Sequence, residues 1–159
     1  MEAEDPLLAE SRLLARALFE LREQQNGHAS LATLDEYAVR FKQGVLRDEA
    51  TLTRIEALIA TKKRTEALAL LESLDLTATP RGDELRVLLG ELLLEAGRRD
   101  SARRQFETAL GGRLVVEAEE RAMYGLASSL EEKAAFERYL LRFPRGRFAE
   151  AARAHLEED

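Results

Sequence analysis

The chain has 159 residues, no cysteine and a formal net charge of −6, with 45% hydrophobic and 34% charged residues. That composition excludes disulfide scaffolds, iron–sulfur centres and cysteine-liganded zinc; it argues against a nucleic-acid binder, which would carry a basic excess, and fits one globular domain or short repeat array. No apolar run reaches the ~20 residues of a membrane span, so no direct membrane insertion is expected. Of the 24 basic residues only Lys42, Lys62, Lys63 and Lys133 are lysines, a bias read as that of a GC-rich bacterial genome.

In chain order, hydrophobic spacing predicts nine helices and no sheet. The first runs from about Pro6 to Gln25, capped by Asp5, with Leu7, Leu14, Leu18 and Leu21 on one stripe and Asn26-Gly27 as its stop. The second, about Ser30 to Phe41, turns Leu31, Leu34, Ala38 and Phe41 inward and leaves His28 in the preceding turn. The third covers about Leu46 to Thr61 with Leu52, Ile55, Leu58 and Ile59, and the fourth about Thr65 to Leu74 with Ala67, Leu71 and Leu74. After the turn Thr77–Gly82, Asp83 should cap a fifth helix, Glu84 to Ala96, aligning Leu85, Leu89, Leu92 and Ala96. Gly97 ends it. A sixth runs to about Leu110, and Gly111-Gly112 closes that one. The seventh, about Leu114 to Ser128, should meet the eighth directly, because Ser129 and Glu132 have capping-box spacing. Phe136, Tyr139, Leu140 and Phe143 line the inner face of the eighth; Pro144-Arg145-Gly146 breaks the chain before a last helix ending near Glu157.

The chain also repeats. Glu49, Glu56, Leu58, Ile59, Arg64 and Ala67 return 35 residues later as Glu84, Glu91, Leu93, Leu94, Arg99 and Ala102. A period in the mid-thirties on helical spacing is the signature of stacked helix pairs. Residues 83–116 resemble a tetratricopeptide repeat (TPR): Leu89-Gly90, Leu93, Gly97, Ala102, Phe106 and Ala109 all stand in register. Gly90 and Ala102 would let two helices approach closely while Phe106 fills the gap to the next hairpin. Residues 48–82 match less well, with Ile55 in place of one Gly and Lys62 in place of the turn Gly. The segment with Phe136, Tyr139-Leu140, Phe143-Pro144, Gly146 and Ala149 is similar to repeats of bacterial envelope proteins. Together, DEYAVRFKQGVLRDEA, TPRGDELRVLLGELLLEAGR and YLLRFPRGRFAEAAR resemble the soluble C-terminal repeat region of myxobacterial FecR-like or anti-sigma-type membrane proteins.

The resemblance implies an all-α fold, a right-handed α-solenoid of about four TPR-like hairpins plus a C-terminal capping helix. The hairpins are expected at about 6–41, 46–75, 83–110 and 114–143 and the cap at 147–157, in one domain over 1–159. It also implies a protein–protein interaction scaffold, a soluble periplasmic or cell-envelope domain of a longer chain. The acidic N-terminus, unlike a signal peptide, keeps a cytoplasmic location as the alternative.

In tetratricopeptide arrays the first helix of each pair lines a groove. Carried across, that register selects Arg12, Phe19 and Arg22, then Glu49, Leu52 and Glu56, then Glu84, Val87, Glu91 and Glu95. The groove would be acidic with apolar steps, suited to a peptide or protein with basic and apolar side chains. Glu56 and Glu91 stand where chaperone-tail binders need Lys or Asn, which argues against that specialised function. The plainer alternative is a solvated helix face. Arg98, Arg99, Arg103, Arg104 and Arg113 form a basic cluster, read as a solvated convex face pairing with Glu95, Asp100 and Glu107. His28 and His155 are far apart, no phosphate-binding glycine loop occurs, and no nucleophile, base and orienting group come together. No enzyme, metal or cofactor is therefore expected. The rival to a peptide groove is a structural or self-association module that uses the last helix against a second copy.

Overall fold

The computed structural model describes residues 5–157; residues 1–4 and 158–159 of the expected domain lie outside the described residues. Among the described residues there are nine α-helices and no strand: α1 (Pro6–Arg22), α2 (Gly27–Arg40), α3 (Arg47–Ala60), α4 (Arg64–Ser73), α5 (Gly82–Glu95), α6 (Arg99–Leu110), α7 (Val116–Leu130), α8 (Lys133–Arg142) and α9 (Ala149–Glu157). The all-α class and the TPR-like hairpins are as the spacing predicts. The chain divides into two compact units, Met1–Ser73 and Leu74–Asp159.

In the first unit α1 packs on α2 and α3, α2 on α3, and α3 on α4. Asp5 accepts from the Leu7 N–H at 3.0 Å and Pro6 opens the helix, as predicted. Asn26 does more than end α1. Its side chain accepts from the Ala29 N–H and starts α2 at Gly27, so His28 is helical and not in a turn. Leu13, Leu14, Ala17 and Leu21 form the buried stripe of α1, while Leu7 is exposed. On α2 the inward residue is Tyr37, and Ala38 is exposed. Tyr37 wins that place because its hydroxyl has a buried partner.

That partner is Glu10, only 3% exposed. Tyr37 Oη donates to Glu10 Oε1 at 2.5 Å, and the carboxylate also accepts the N–H groups of Val45 and Leu46 at 3.2 and 2.8 Å. A buried carboxylate is tolerated only when its lone pairs are satisfied; here three donors do so and fix the α2–α3 turn. The Tyr37 hydrogen bond, with the two backbone donors, holds the Glu10 carboxyl below its ordinary range against the opposing effect of burial. Burial first, then the Glu10 bond and charge, push the Tyr37 hydroxyl well above the ordinary tyrosine value. Gly44 is required at this point, since a Cβ there would lie 2.1 Å from Glu10 Oε1. A second buried carboxylate, Glu20, accepts from Thr33 Oγ1 at 2.6 Å and from Arg16 Nε at 3.0 Å.

The second unit builds the same device at its α8–α9 turn. Tyr139 Oη donates to Glu120 Oε1 at 2.8 Å, the Arg147 N–H donates to the same oxygen at 2.6 Å, and the Phe148 N–H donates to Tyr139 Oη at 3.1 Å. Burial, helped by the Glu120 bond, pushes the Tyr139 hydroxyl up to about 12. Tyr37, Arg40, Phe41, Gly44 and Ala50 correspond to Tyr139, Arg142, Phe143, Gly146 and Ala152, each 102 residues later. Each arginine lies 5.3 Å from the centroid of its neighbouring phenylalanine. Gly112, 34 residues before Gly146, holds a simpler version: Asp83 Oδ2 accepts the Arg113 N–H at 3.0 Å without a tyrosine. Asp83 is thus inside α5 and fastens the α6–α7 turn instead of capping its own helix. The residue before the helix is Arg81, in a left-handed conformation.

Within the second unit α5 packs on both α6 and α7, and α6 on α7. Phe106 of α6 is fully buried; a Cβ on Gly90 of α5 would lie 2.6 Å from its ring, and one on Gly125 of α7 would lie 2.3 Å away. The expected close approach at Gly90 is therefore present, and Gly125 supplies its counterpart on the other side. Because α5 is covered on two sides, its buried surface is wider than the predicted stripe: Val87, Leu89, Gly90, Leu92 and Leu93 are buried and Ala96 is exposed. The predicted direct junction between α7 and α8 is not formed. Ser129 is helical and its hydroxyl donates to the Leu126 carbonyl; Glu131, in a left-handed conformation, and Glu132 separate the two helices.

Candidate functional site

On α1 the residues Leu8, Arg12, Ala15, Phe19 and Arg22 are spaced 4, 3, 4 and 3 and are all exposed, as one face of a 3.6-residue helix requires. Phe19 is 53% exposed, an unusual state for an aromatic side chain within a packed unit. One turn further on, Arg22 Nη2 donates to both oxygens of Glu56 at 3.3 and 3.0 Å, joining α1 to α3. Glu49 is exposed and Leu52 half-buried on the same helix as Glu56. The first unit thus brings Arg22 and Glu56 together and leaves Arg12, Phe19 and Glu49 at its surface.

In the second unit the predicted residues are less open. Val87 is fully buried, 0% exposed, so it is core and offers nothing to a ligand; the cause is the two-sided packing of α5. Glu84 is half-buried and accepts from Arg81 at 3.1 and 2.5 Å. Glu91, half-buried, accepts from Arg121 of α7 at 2.8 and 2.5 Å. That bond is the main reason the Arg121 guanidinium sits above its ordinary value. Glu95 is exposed at the end of α5. The expected acidic centre is therefore compensated: Glu56, Glu84 and Glu91 each face an arginine. Partly exposed pairs of this kind contribute about 0–1 kcal/mol to stability, so they can exchange partners at small cost. In the basic cluster Arg99 pairs with Glu131, Arg103 with Glu107 at 3.9 Å, and Arg104 donates to Ser101 Oγ.

Sequence reasoning missed the two carboxylate–tyrosine fastenings. Their signal was present as the matched Tyr, Phe and Gly spacing around residues 37–44 and 139–146, but Glu10 and Glu120 are not at equal offsets from it. Among the described residues no group of three His, Asp or Glu side chains could hold a metal ion. No helix there is long and apolar enough to cross a membrane.

A tetratricopeptide-repeat family model matches residues 58–111. The match covers about a third of the chain and contains Gly90, Gly97, Ala102, Phe106 and Ala109 in full. No curated protein and no solved structure matched. The repeat agrees with the geometry at its most constrained point, where Phe106 lies between two glycines, and the chain is a TPR-like helical protein. TPR repeats generally bind proteins or peptides and are generally non-enzymatic, which suggests a protein–protein interaction scaffold.

Proposed function

We propose that this protein is an interaction scaffold whose exposed α1–α3 face takes up a peptide, or a partner's segment, with apolar and basic side chains. The observation that carries the reading is Phe19, an exposed aromatic ring in a stripe shared with Leu8, Arg12, Ala15 and Arg22, one turn from the arginine that Glu56 of α3 holds. An aromatic anchor beside an exchangeable charge is a common centre for peptide affinity. The finer context rests on the resemblance of the repeats to envelope proteins: a hairpin array over residues 1–159 within a larger bacterial envelope or signalling protein, facing the periplasm, with a cytoplasmic chain as the alternative. A membrane segment upstream in the same reading frame, or an adjacent sigma-factor gene, would support that context.

The test is fluorescence anisotropy of a labelled 15-residue peptide of Arg and Leu against the full chain. Phe19→Ser should weaken binding by about tenfold, which is 1.4 kcal/mol, and Glu49→Arg should weaken it further. Equal affinity for the wild type and both variants would remove the reading. The rival, a structural or self-association module, draws support from Val115, Val116 and Leu141 in the second unit, all large, apolar and exposed. Sedimentation equilibrium separates the two: a monomer at high micromolar concentration argues against self-association.

A further inference from the structure

The exposed face of α1 has a spacing of its own. Leu8 and Phe19, its two large apolar side chains, stand 11 residues apart, and the exposed Ala15 lies between them. At 1.5 Å per residue that separation is about 16.5 Å, and it turns through three full circles to within about 20°. A bound chain has to place two anchors at that distance. In an extended strand, side chains on one face recur every ~6.7 Å, so a strand seated on Leu8 arrives about half a repeat out of step at Phe19. In a polyproline helix they recur every ~9.3 Å and miss by about a quarter of a repeat. An α-helix laid along α1 carries residues i, i+4, i+7 and i+11 in one row and meets both anchors.

The small side chain of Ala15 favours the same occupant. It leaves a hollow between Leu8, Arg12 and Phe19, and a side chain of a facing helix enters such a hollow as a knob. Beside it, Leu18 of α1 and Leu52 of α3 are half-buried and still offer apolar surface. The face carries Arg12 and Arg22 against Glu49 and Glu56, so its net charge selects neither sign. Position does. Arg22 already holds Glu56, whereas Glu49, two turns earlier on the same side of α3, forms no ion pair among the described residues. Resting on the reading of this face as a peptide-binding surface, we infer that the segment it takes up is an amphipathic α-helix of about four turns. Its aliphatic side chains at i, i+4, i+7 and i+11 lie along Leu8, Ala15 and Phe19, and a basic side chain on its flank meets Glu49. A second copy of α1 is a poorer occupant. Paired antiparallel about Ala15, it would set Leu8 against Arg22 and Phe19 against Arg12. A free helix of this length is marginal in water, so such a peptide orders as it docks.

The experiment uses the full chain and three labelled peptides of equal length, read by anisotropy. Two share one composition of Leu, Arg and Ala: the first sets Leu at i, i+4, i+7 and i+11, the second at i, i+2, i+4 and i+6. The third is the first with Pro at its centre, which breaks a helix. The first should bind at least about tenfold more tightly than either of the others. Ala15→Gln, which fills the hollow without adding charge, should weaken the first peptide about tenfold. Ala15 is exposed, so circular dichroism should show this variant folded. Equal or tighter binding of the second peptide, no loss on adding Pro, or no loss with Ala15→Gln overturns the helix and leaves the face as a site for an extended chain. No saturable binding of any peptide up to about 1 mM removes the peptide-binding face and the helix with it. A dimer dispersed by Ala15→Gln, in the absence of peptide binding, overturns the proposal in favour of a second copy.

Discussion

Single residues carry much of the constraint in this chain, and Lys62 is the plainest case. It sits at φ 60°, where its counterpart 35 residues on, Gly97, sits at φ 75°. Both close their helices in the same way: the Lys63 and Arg98 N–H groups reach back to the Leu58 and Leu93 carbonyls at 2.9 and 2.8 Å. This is the helix-ending geometry that glycine favours. Lys62→Gly removes the left-handed strain and loosens the unfolded chain, and the first effect wins. A gain of about 0.5–1 kcal/mol, read as a higher urea midpoint, is expected. The tyrosines set the alkaline limit. Tyr139 is raised to about 12 when folded, so its contribution is complete below the ordinary value of about 10 and is lost as pH rises through about 12. Tyrosinate absorbance from Tyr37 and Tyr139 should appear together with loss of helix signal. Tyr139→Phe, which leaves Glu120 and the Phe148 N–H short of a partner, should cost about 1–3 kcal/mol. Glu10 has the opposite sign. Its lowered carboxyl supports the fold above the ordinary value of about 4 and ceases to as pH falls through the lower folded value. Glu10→Gln should flatten the acid limb of a stability–pH curve.

At the scale of helices, α6 is held by what its neighbours lack. Gly90 and Gly125 leave room for Phe106, and a methyl group on either must displace the ring. Gly125→Ala should cost about 1–3 kcal/mol; an unchanged melting temperature would contradict the packing. The glycine on α5 was legible because it belongs to a repeat in register, whereas Gly125 follows Gly90 at 35 residues in a hairpin whose other positions have drifted. Helix existence and order were readable from spacing. Helix starts were not, because Asn26, Asp83 and Ser129 each have two available tasks and tertiary contacts decide between them. Asp83 fastens a turn 30 residues away, which no local rule sees. The ion pair between Glu91 and Arg121, again 30 residues apart, escaped for the same reason.

At the scale of the molecule, the candidate face was legible as a helix face and illegible as an electrostatic surface. The positions Arg12, Phe19, Arg22, Glu49 and Glu56 do reach the surface, yet pairing of Arg22 with Glu56 removes charge that a linear reading assigns to the ligand. A basic peptide must therefore compete with the protein's own guanidinium. Arg22→Gln, by releasing Glu56, should tighten an Arg and Leu peptide by about three- to tenfold in the same anisotropy assay, a change of roughly 0.6–1.4 kcal/mol. Val87 shows the converse error, where helix periodicity alone cannot tell a groove from a second packed neighbour. The turn fastenings have their own bearing on how such a chain can diverge. At Gly44 and Gly146 a methyl group would stand 2.1 Å from the oxygen of Glu10 or Glu120. A mutation adding a side chain at either glycine evicts the acid, whereas loss of the acid alone does not free the glycine, since a methyl group would still stand 2.9 Å from the Tyr37 hydroxyl or 2.6 Å from the Tyr139 hydroxyl. Among descendants of this sequence, each distant glutamate should therefore persist only where its glycine does.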